Sequence, residues 1–98
     1  MKQIWKYEIE PGEVTLNIPG WRGFISAGID PKDNLCVWAL VDDQEEEEEV
    51  NLWVVGTGWD IGDLYETDDA ITFIGSVKDG CYMWHVFGSV PEEDELNP

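Results

Sequence analysis

Leu35-Cys36-Val37-Trp38-Ala39-Leu40-Val41 is the longest unbroken apolar stretch of the chain, closed by Asp33 on one side and by Asp42-Asp43 on the other. The run is too short for a self-sufficient helix and far short of the ~20 residues that span a bilayer. Apolar on both faces, it suits a central strand covered on both sides. Outward from it the chain alternates with period two. From Ile4 to Glu10, Trp5, Tyr7 and Ile9 share one face while Lys6, Glu8 and Glu10 share the other, the pattern of a half-buried strand. Pro11-Gly12 is a turn signal. Val14, Leu16 and Ile18 then alternate with Glu13, Thr15 and Asn17, so a second strand is expected, hairpinned to the first. Phe24 to Ile29 reads as a third strand, ended by Asp30-Pro31-Lys32-Asp33-Asn34 with its Asx and Pro turn chemistry. Val50 to Val55, Ala70 to Val77 and Cys81 to Phe87 complete the set, and Lys78-Asp79-Gly80 carries the Asp-Gly hairpin signal.

These segments predict an all-β fold, an antiparallel β-sandwich or barrel of about seven short strands. Residues 1–90 form a single domain on this reading, and residues 91–98 form an acidic, flexible tail. Helix is confined to a turn within Asp60 to Asp69, where Asp60 can cap, Leu64 and Tyr65 can pack, and Gly62 opposes extension.

Charge is the second strong signal. The 98 residues carry 22 Asp and Glu against 5 Lys and Arg, a formal net charge of -17. A small soluble domain needs a net charge of only about 2–8. No Lys, Arg or His occurs between Asp33 and Val77. The chain lacks a phosphate-neutralising surface, which excludes direct nucleic-acid binding and points to a partner with a basic surface. Glu45 to Glu49 is the sharpest local feature; five adjacent carboxylates repel one another, so an exposed loop is expected there. The candidate partner-binding residues are Asp42, Asp43, Glu45, Glu46, Glu47, Glu48, Glu49, Asp68 and Asp69, with Trp59 or Trp21 as an apolar anchor. The plain alternative is a solvated loop without a partner. Duplex DNA carries one charge per about 1.7 Å, so 17 charges match roughly 29 Å of duplex. A domain of this size is about 30–35 Å across, which makes nucleic-acid mimicry physically possible.

Chemical motifs are thin. Gly56-Thr57-Gly58 has no following Gly-Lys-Ser or Gly-Lys-Thr and reads as a turn. Neither Asp30, Asp33 and Asp42 nor Asp60, Asp63 and Glu66 follow EF-hand spacing, and no metal or cofactor is expected. Cys36 and Cys81 are not a CxxC pair and have one histidine, His85, for company; buried thiols are expected rather than a zinc site. Spacing leaves open a Ser-His-Asp site built on Ser26, Ser76 or Ser89, but nothing supports one, and no enzymatic activity is expected. Trp5, Trp38 and Trp84 are expected as core or cross-strand anchors. The N-terminal residues enter a strand pattern with no apolar signal region, so the expected location is the cytoplasm, without a membrane contact.

Ile4-Trp5-Lys6-Tyr7-Glu8, Cys36-Val37-Trp38-Ala39-Leu40-Val41-Asp42 and Trp84-His85-Val86-Phe87, with Gly56-Thr57-Gly58 and Phe73-Ile74-Gly75 between them, carry a resemblance. Over most of residues 3–87 the chain resembles a family of small uncharacterised proteins of tailed bacteriophages and prophages. The resemblance implies a bacterial host cytoplasm and a non-enzymatic inhibitor of a basic, nucleic-acid-handling host protein, of anti-CRISPR or anti-restriction type. The alternative it implies is a structural or assembly protein of the phage virion, using exposed strand edges. The oligomeric state stays open.

Overall fold

The structure is a computed structural model that describes residues 1–67 and 70–91. Asp68, Asp69 and the tail from 92 to 98 lie outside the described residues. Seven strands occur among those described: β1 (Lys2–Glu8), β2 (Gly12–Pro19), β3 (Gly23–Ile29), β4 (Leu35–Asp42), β5 (Glu47–Gly56), β6 (Ile71–Asp79) and β7 (Tyr82–Ser89). They form two antiparallel sheets, a first of order β1-β4-β3 and a second of order β2-β5-β7-β6. The period-two alternation thus becomes an all-β sandwich, each sheet turning one face toward the other.

The apolar run is the central strand of the first sheet, as its composition predicts. Val37, Ala39 and Val41 face the core, each nearly or fully buried. The outward face departs from expectation. Cys36 is fully buried beside the Asp30 turn, Trp38 is half-buried, and Leu40 is 41 % exposed. Outer cover is therefore confined to the Asp30 end of the strand.

Two apolar clusters fill the space between the sheets. Val37, Leu52, Val54, Trp84 and Val86 belong to one; Ile18, Trp21, Ala39, Val41 and Val50 belong to the other. Tyr7, Leu16 and Phe24 touch both. Each fully buried Val or Leu contributes about 1.5–3 kcal/mol, so the clusters hold the sheets face to face.

The expected hairpin between the first two strands does not form. β1 pairs with β4 and β2 pairs with β5, so the chain crosses from one sheet to the other between Ile9 and Gly12. Ile9 still donates its N–H to Leu35 O at 2.9 Å, prolonging the β1–β4 ladder before the crossing. The physical reason is that the same turn chemistry serves a hairpin and an arch. Tyr7 of β1, Ile9 just beyond its end, and Val14 and Leu16 of β2 pack into one cluster across the core. The hairpin at Lys78-Asp79-Gly80 does form, with Asp79 opposite Tyr82 and Gly80 at φ 61°.

Because β5 and β6 both run antiparallel to β7, the link between them must return along the sheet. It contains α1 (Gly62–Glu66), the single helical turn expected. Asp60 Oδ1 accepts the N–H of Gly62 at 2.8 Å. Leu64 is buried, while Tyr65 is 83 % exposed, because five helical residues present only one side to the sheet. Trp5 also departs from expectation: it sits on an edge strand and is partly exposed, its indole N–H donated to Gln3 Oε1 at 2.9 Å. Cys36 is a buried thiol as expected, but Cys81, in the exposed β6–β7 turn, is not.

Candidate functional site

The acidic stretch occupies a corner where β4 of the first sheet passes to β5 of the second. Asp42 ends β4, and β5 begins at Glu47, not at Val50. Glu47, Glu48 and Glu49 are therefore strand residues, opposite Pro19, Ile18 and Asn17 of β2. The expectation of one loop across Glu45 to Glu49 is corrected. Backbone pairing with β2 holds these residues extended, and their side chains stand exposed at the strand's end.

The turn itself is tightly bonded. Asp42 Oδ1 accepts the N–H of Gln44 at 3.1 Å, Asp42 O accepts the N–H of Glu45 at 3.1 Å, and Glu46 O accepts the N–H of Gly20 at 3.0 Å. Gly20 is a requirement of this corner. Its φ is +52°, and a Cβ there would lie 2.7 Å from Asp42 O, so only glycine lets the β2–β3 link pass so close.

The fold also brings positive charge that the local sequence lacks. Arg22 Nη2 donates to both carboxylate oxygens of Glu45, at 2.8 and 2.9 Å. The terminal ammonium of Met1 donates to Asp43 Oδ1 at 2.7 Å and reaches Asp42 Oδ1 at 3.4 Å. Lys2 stands opposite Asp42 in the β1–β4 register. The hydrogen bond from the Met1 ammonium holds the Asp43 carboxyl below the usual carboxylate range; for Asp42 the N–H of Gln44 has the largest effect in the same direction. Reciprocally, Asp43 raises the ammonium above its ordinary value. Asp42, Asp43 and Glu45 are thus engaged by the protein itself. Beyond them, Glu46 to Glu49 are exposed. Gly20, Arg22, Gln44 and Glu45 to Glu48 line an open groove of about 520 Å³.

Trp59 is not part of this surface. It follows the far end of β5, its N–H donated to Gly56 O at 3.1 Å. The seven steps of β5 from Glu49 to Gly56, at about 3.3 Å each, separate it from the last of the glutamates by roughly 20 Å or more. There it packs edge-on against Trp84, with ring centroids 5.5 Å apart. A Cβ on Gly56 would lie 2.8 Å from Trp59 Nε1, so the indole closes that end of the sandwich. Trp21 is at the acidic end, but buried: it stacks obliquely on Phe24 at 5.3 Å and serves as floor, not as an exposed anchor. The structure brings Asp42, Asp43 and Glu45 to Glu49 together, excludes Trp59, and does not describe Asp68 or Asp69.

The carboxylate that is most strongly held is Asp30, whose Asx turn the sequence signals but whose lysine partner it does not. Asp30 is buried, with its Oδ2 accepting from Lys6 Nζ at 2.6 Å and its Oδ1 from the N–H groups of Lys32 and Asn34, each at 2.9 Å. Lys6, then the Asn34 amide, drives its carboxyl well below the usual range. No group of three or more His, Cys, Asp or Glu among the described residues is arranged to hold a metal ion.

His85 lies on the outer face of the second sheet, in an open recess of about 270 Å³ lined by Val55, Thr57, Trp59, Phe73 and Phe87. Ser76 Oγ is 2.8 Å from its Nδ1 and Thr57 Oγ1 2.7 Å from its Nε2. Two hydroxyls thus occupy both ring nitrogens, and among the described residues no carboxylate joins them. Contacts at both ring nitrogens suit a brace between β6, β7 and the Gly56 turn.

No helix among the described residues is long and apolar enough to cross a membrane. Residues 1–97 match the family model described as Domain of unknown function (DUF7352). No curated protein and no solved structure matches the chain.

Proposed function

The chain belongs to that family of unknown function, and we propose from its own surface that it is a non-catalytic binding protein whose acidic corner docks on a basic, nucleic-acid-handling protein and blocks it. The observation that carries this reading is the placement of Glu47 to Glu49 on a paired strand rather than a free loop. An antiparallel strand advances about 3.4 Å per residue, and a nucleic-acid strand carries one charge per about 3.4 Å of axis. Glu47 and Glu49 share one face of the strand and Glu48 the other, so one face presents carboxylates about 6.8 Å apart, half the linear charge density of such a strand but held in a fixed row. Because the backbone is already ordered, less entropy is lost on docking. The net charge of -17 would steer a basic partner toward the corner and make association salt-dependent. A phage setting, with a restriction or CRISPR component as target, belongs to this proposal and rests on the sequence resemblance alone.

The test is capture of partners by the tagged chain from bacterial lysate at low salt, with Glu46→Gln/Glu47→Gln/Glu49→Gln as the comparison. These three positions leave the Arg22–Glu45 pair intact. Basic nucleic-acid-binding proteins, retained by the parent chain, lost by the variant and displaced by duplex DNA, would support the reading. A partner held equally by both chains at high salt would sink it. A second reading, an assembly protein of a virion, is favoured by the apolar outer face of the first sheet, where Ile4, Ile25 and Leu40 are exposed.

A further inference from the structure

β1 is an end strand of the first sheet, and among the described residues no strand pairs with its outer edge. Unpaired edges invite another strand unless something guards them. The other edges are guarded. β3 and β6 shield each other across the sandwich, where a Cβ on Gly75 would lie 3.9 Å from Ala27 N. β2 carries Pro19 and the exposed charge of Glu13, both deterrents to pairing. β1 has no proline and no bulge, and every residue from Lys2 to Lys6 is exposed.

Its charge is also unlike the rest of the molecule. With Lys2, Lys6 and Glu8, β1 is the only one of the seven described strands with a net positive charge. Lysines on an edge normally act as guards. Here Lys6 is tied to Asp30 at 2.6 Å, and Lys2 has its complement at the other end of the same strand. Lys2, Ile4, Lys6 and Glu8 share the outer face, opposite Asp42, Leu40, Trp38 and Cys36 of β4; Gln3, Trp5 and Tyr7 share the inner face.

We propose that two copies of this chain pair through β1, antiparallel about a two-fold axis at Trp5, joining their first sheets into one continuous six-stranded sheet. In this register Lys2 faces Glu8 of the second copy, twice over, Ile4 faces Lys6, Gln3 faces Tyr7, and Trp5 faces Trp5. Neighbouring registers that keep the faces aligned are worse. Sliding by one pair sets Lys2 against Lys6 in one direction and Lys6 against Lys6 in the other. The chosen register opposes unlike charges, and it covers a tryptophan that the monomer leaves 36 % exposed with an aromatic cross-strand partner, an arrangement that stabilises antiparallel pairs. The interface is isologous, as a two-fold requires. The two copies repel through their net charge, so dimerisation strengthens as salt screens it. This surface lies on β1; Lys2 also stands opposite Asp42 at the acidic corner, so Glu8→Lys, at the far end of the strand, is the variant that separates dimerisation from docking there.

Sedimentation velocity across micromolar concentrations at physiological salt is the test. A reversible monomer–dimer equilibrium is expected, tighter at higher salt. Lys2→Glu alone and Glu8→Lys alone each replace two attractive pairs by two repulsive ones and weaken the dimer by roughly tenfold or more. The double swap restores it, an outcome that general charge effects do not produce. Circular dichroism verifies that the single variants fold. As a second readout, Trp5→Cys in a Cys81→Ser background should form a disulfide-linked dimer, since directly opposed residues lie about 4.5–5.5 Å apart at Cα. A monomer at every concentration and salt, or single variants that dissociate the dimer without rescue by the double swap, would overturn the proposal.

Discussion

β4 runs between two carboxylate-bearing corners that handle their charge in opposite ways. At its start, the Asp30 side chain is wholly buried and satisfied by Lys6, Lys32 N, Asn34 N and, at 3.6 Å, the Cys36 thiol. At its end, seven of the eight residues from Asp42 to Glu49 are acidic; the Met1 ammonium pairs with Asp42 and Asp43, Arg22 pairs with Glu45, and Glu46 to Glu49 are solvent-exposed. One corner uses a carboxylate to close a turn and seat a lysine stem over the sheet. The other gathers its carboxylates on an exposed turn and strand end, and that exposure makes it a candidate for docking. The role of an acid is set by what the tertiary structure brings against it, not by local charge density.

The largest expected effect comes from breaking the first corner. Asp30→Ala removes both turn hydrogen bonds and the partner of Lys6. Each lost bond to a charged group is worth more than a neutral one, and a melting-temperature drop of roughly 10 °C or more is expected for a domain of this size. The triple glutamine variant at Glu46, Glu47 and Glu49 should hold or raise the melting temperature, since it only relieves repulsion. Similar losses at the two corners, by calorimetry, would erase the distinction between them.

Acid and salt sharpen the comparison next. Asp30, Asp42 and Asp43 have folded-state values lowered below the unfolded one. Their contribution is complete above the unfolded value of about 4 and is lost as pH falls through the lower folded values. The Met1 ammonium is raised instead, so its contribution is complete below about pH 8 and fades as pH rises above that. Acid unfolding should set in below about pH 4, with a shallower acid limb in Asp30→Ala. At neutral pH, urea midpoints should rise as sodium chloride increases from low to moderate concentration, because screening relieves the surplus acids. A midpoint that falls steadily with salt would show that the ion pairs outweigh the repulsion.

Much of this could be read from the sequence, and the failures have one cause. All seven strands follow from alternation and turn residues, because both are properties of a few adjacent residues. The hairpin expected at Pro11-Gly12 and the loop expected over Glu45 to Glu49 failed because pairing partners are not local: β2 defines where β5 begins, and β4 defines where β1 goes. The same limit hid the Lys6–Asp30 pair, separated by 24 positions, and the Arg22–Glu45 pair, separated by 23. Trp59 was wrongly joined to the glutamates because extended strands place residues close in sequence at opposite ends of a domain.

The thiols give a smaller effect. Burial, reinforced by the Asp30 carboxylate, pushes the Cys36 thiol up to about 11, whereas Cys81 is exposed. Thiolate is the reactive form, so iodoacetamide on native protein should label Cys81 and spare Cys36 until unfolding. Asp30→Ala should open Cys36 to slow labelling by loosening the turn above it. Equal labelling of both thiols in the native parent chain, by peptide mass spectrometry, would mean that the Asp30 corner opens as readily as the β6–β7 turn.

The smallest expected effect lies beneath the acidic corner. The Tyr7 hydroxyl is buried and meets no hydrogen-bond partner among the described residues. Burial raises the phenol above its ordinary value, and the charge of Glu47 adds to the rise. A buried polar group without a partner costs about 1–3 kcal/mol, and removing it with its shape preserved is close to neutral or stabilising. Tyr7→Phe keeps the ring in contact with both core clusters, so its denaturation midpoint should stay level or rise by at most about 1 kcal/mol equivalent. The same substitution in the triple glutamine background should give a similar gain, because desolvation, which that background leaves in place, is the larger cause. A loss of more than about 1 kcal/mol on Tyr7→Phe would show that the hydroxyl is bonded in solution. It would then tie β1 to the acidic corner more firmly than the packing of its ring does.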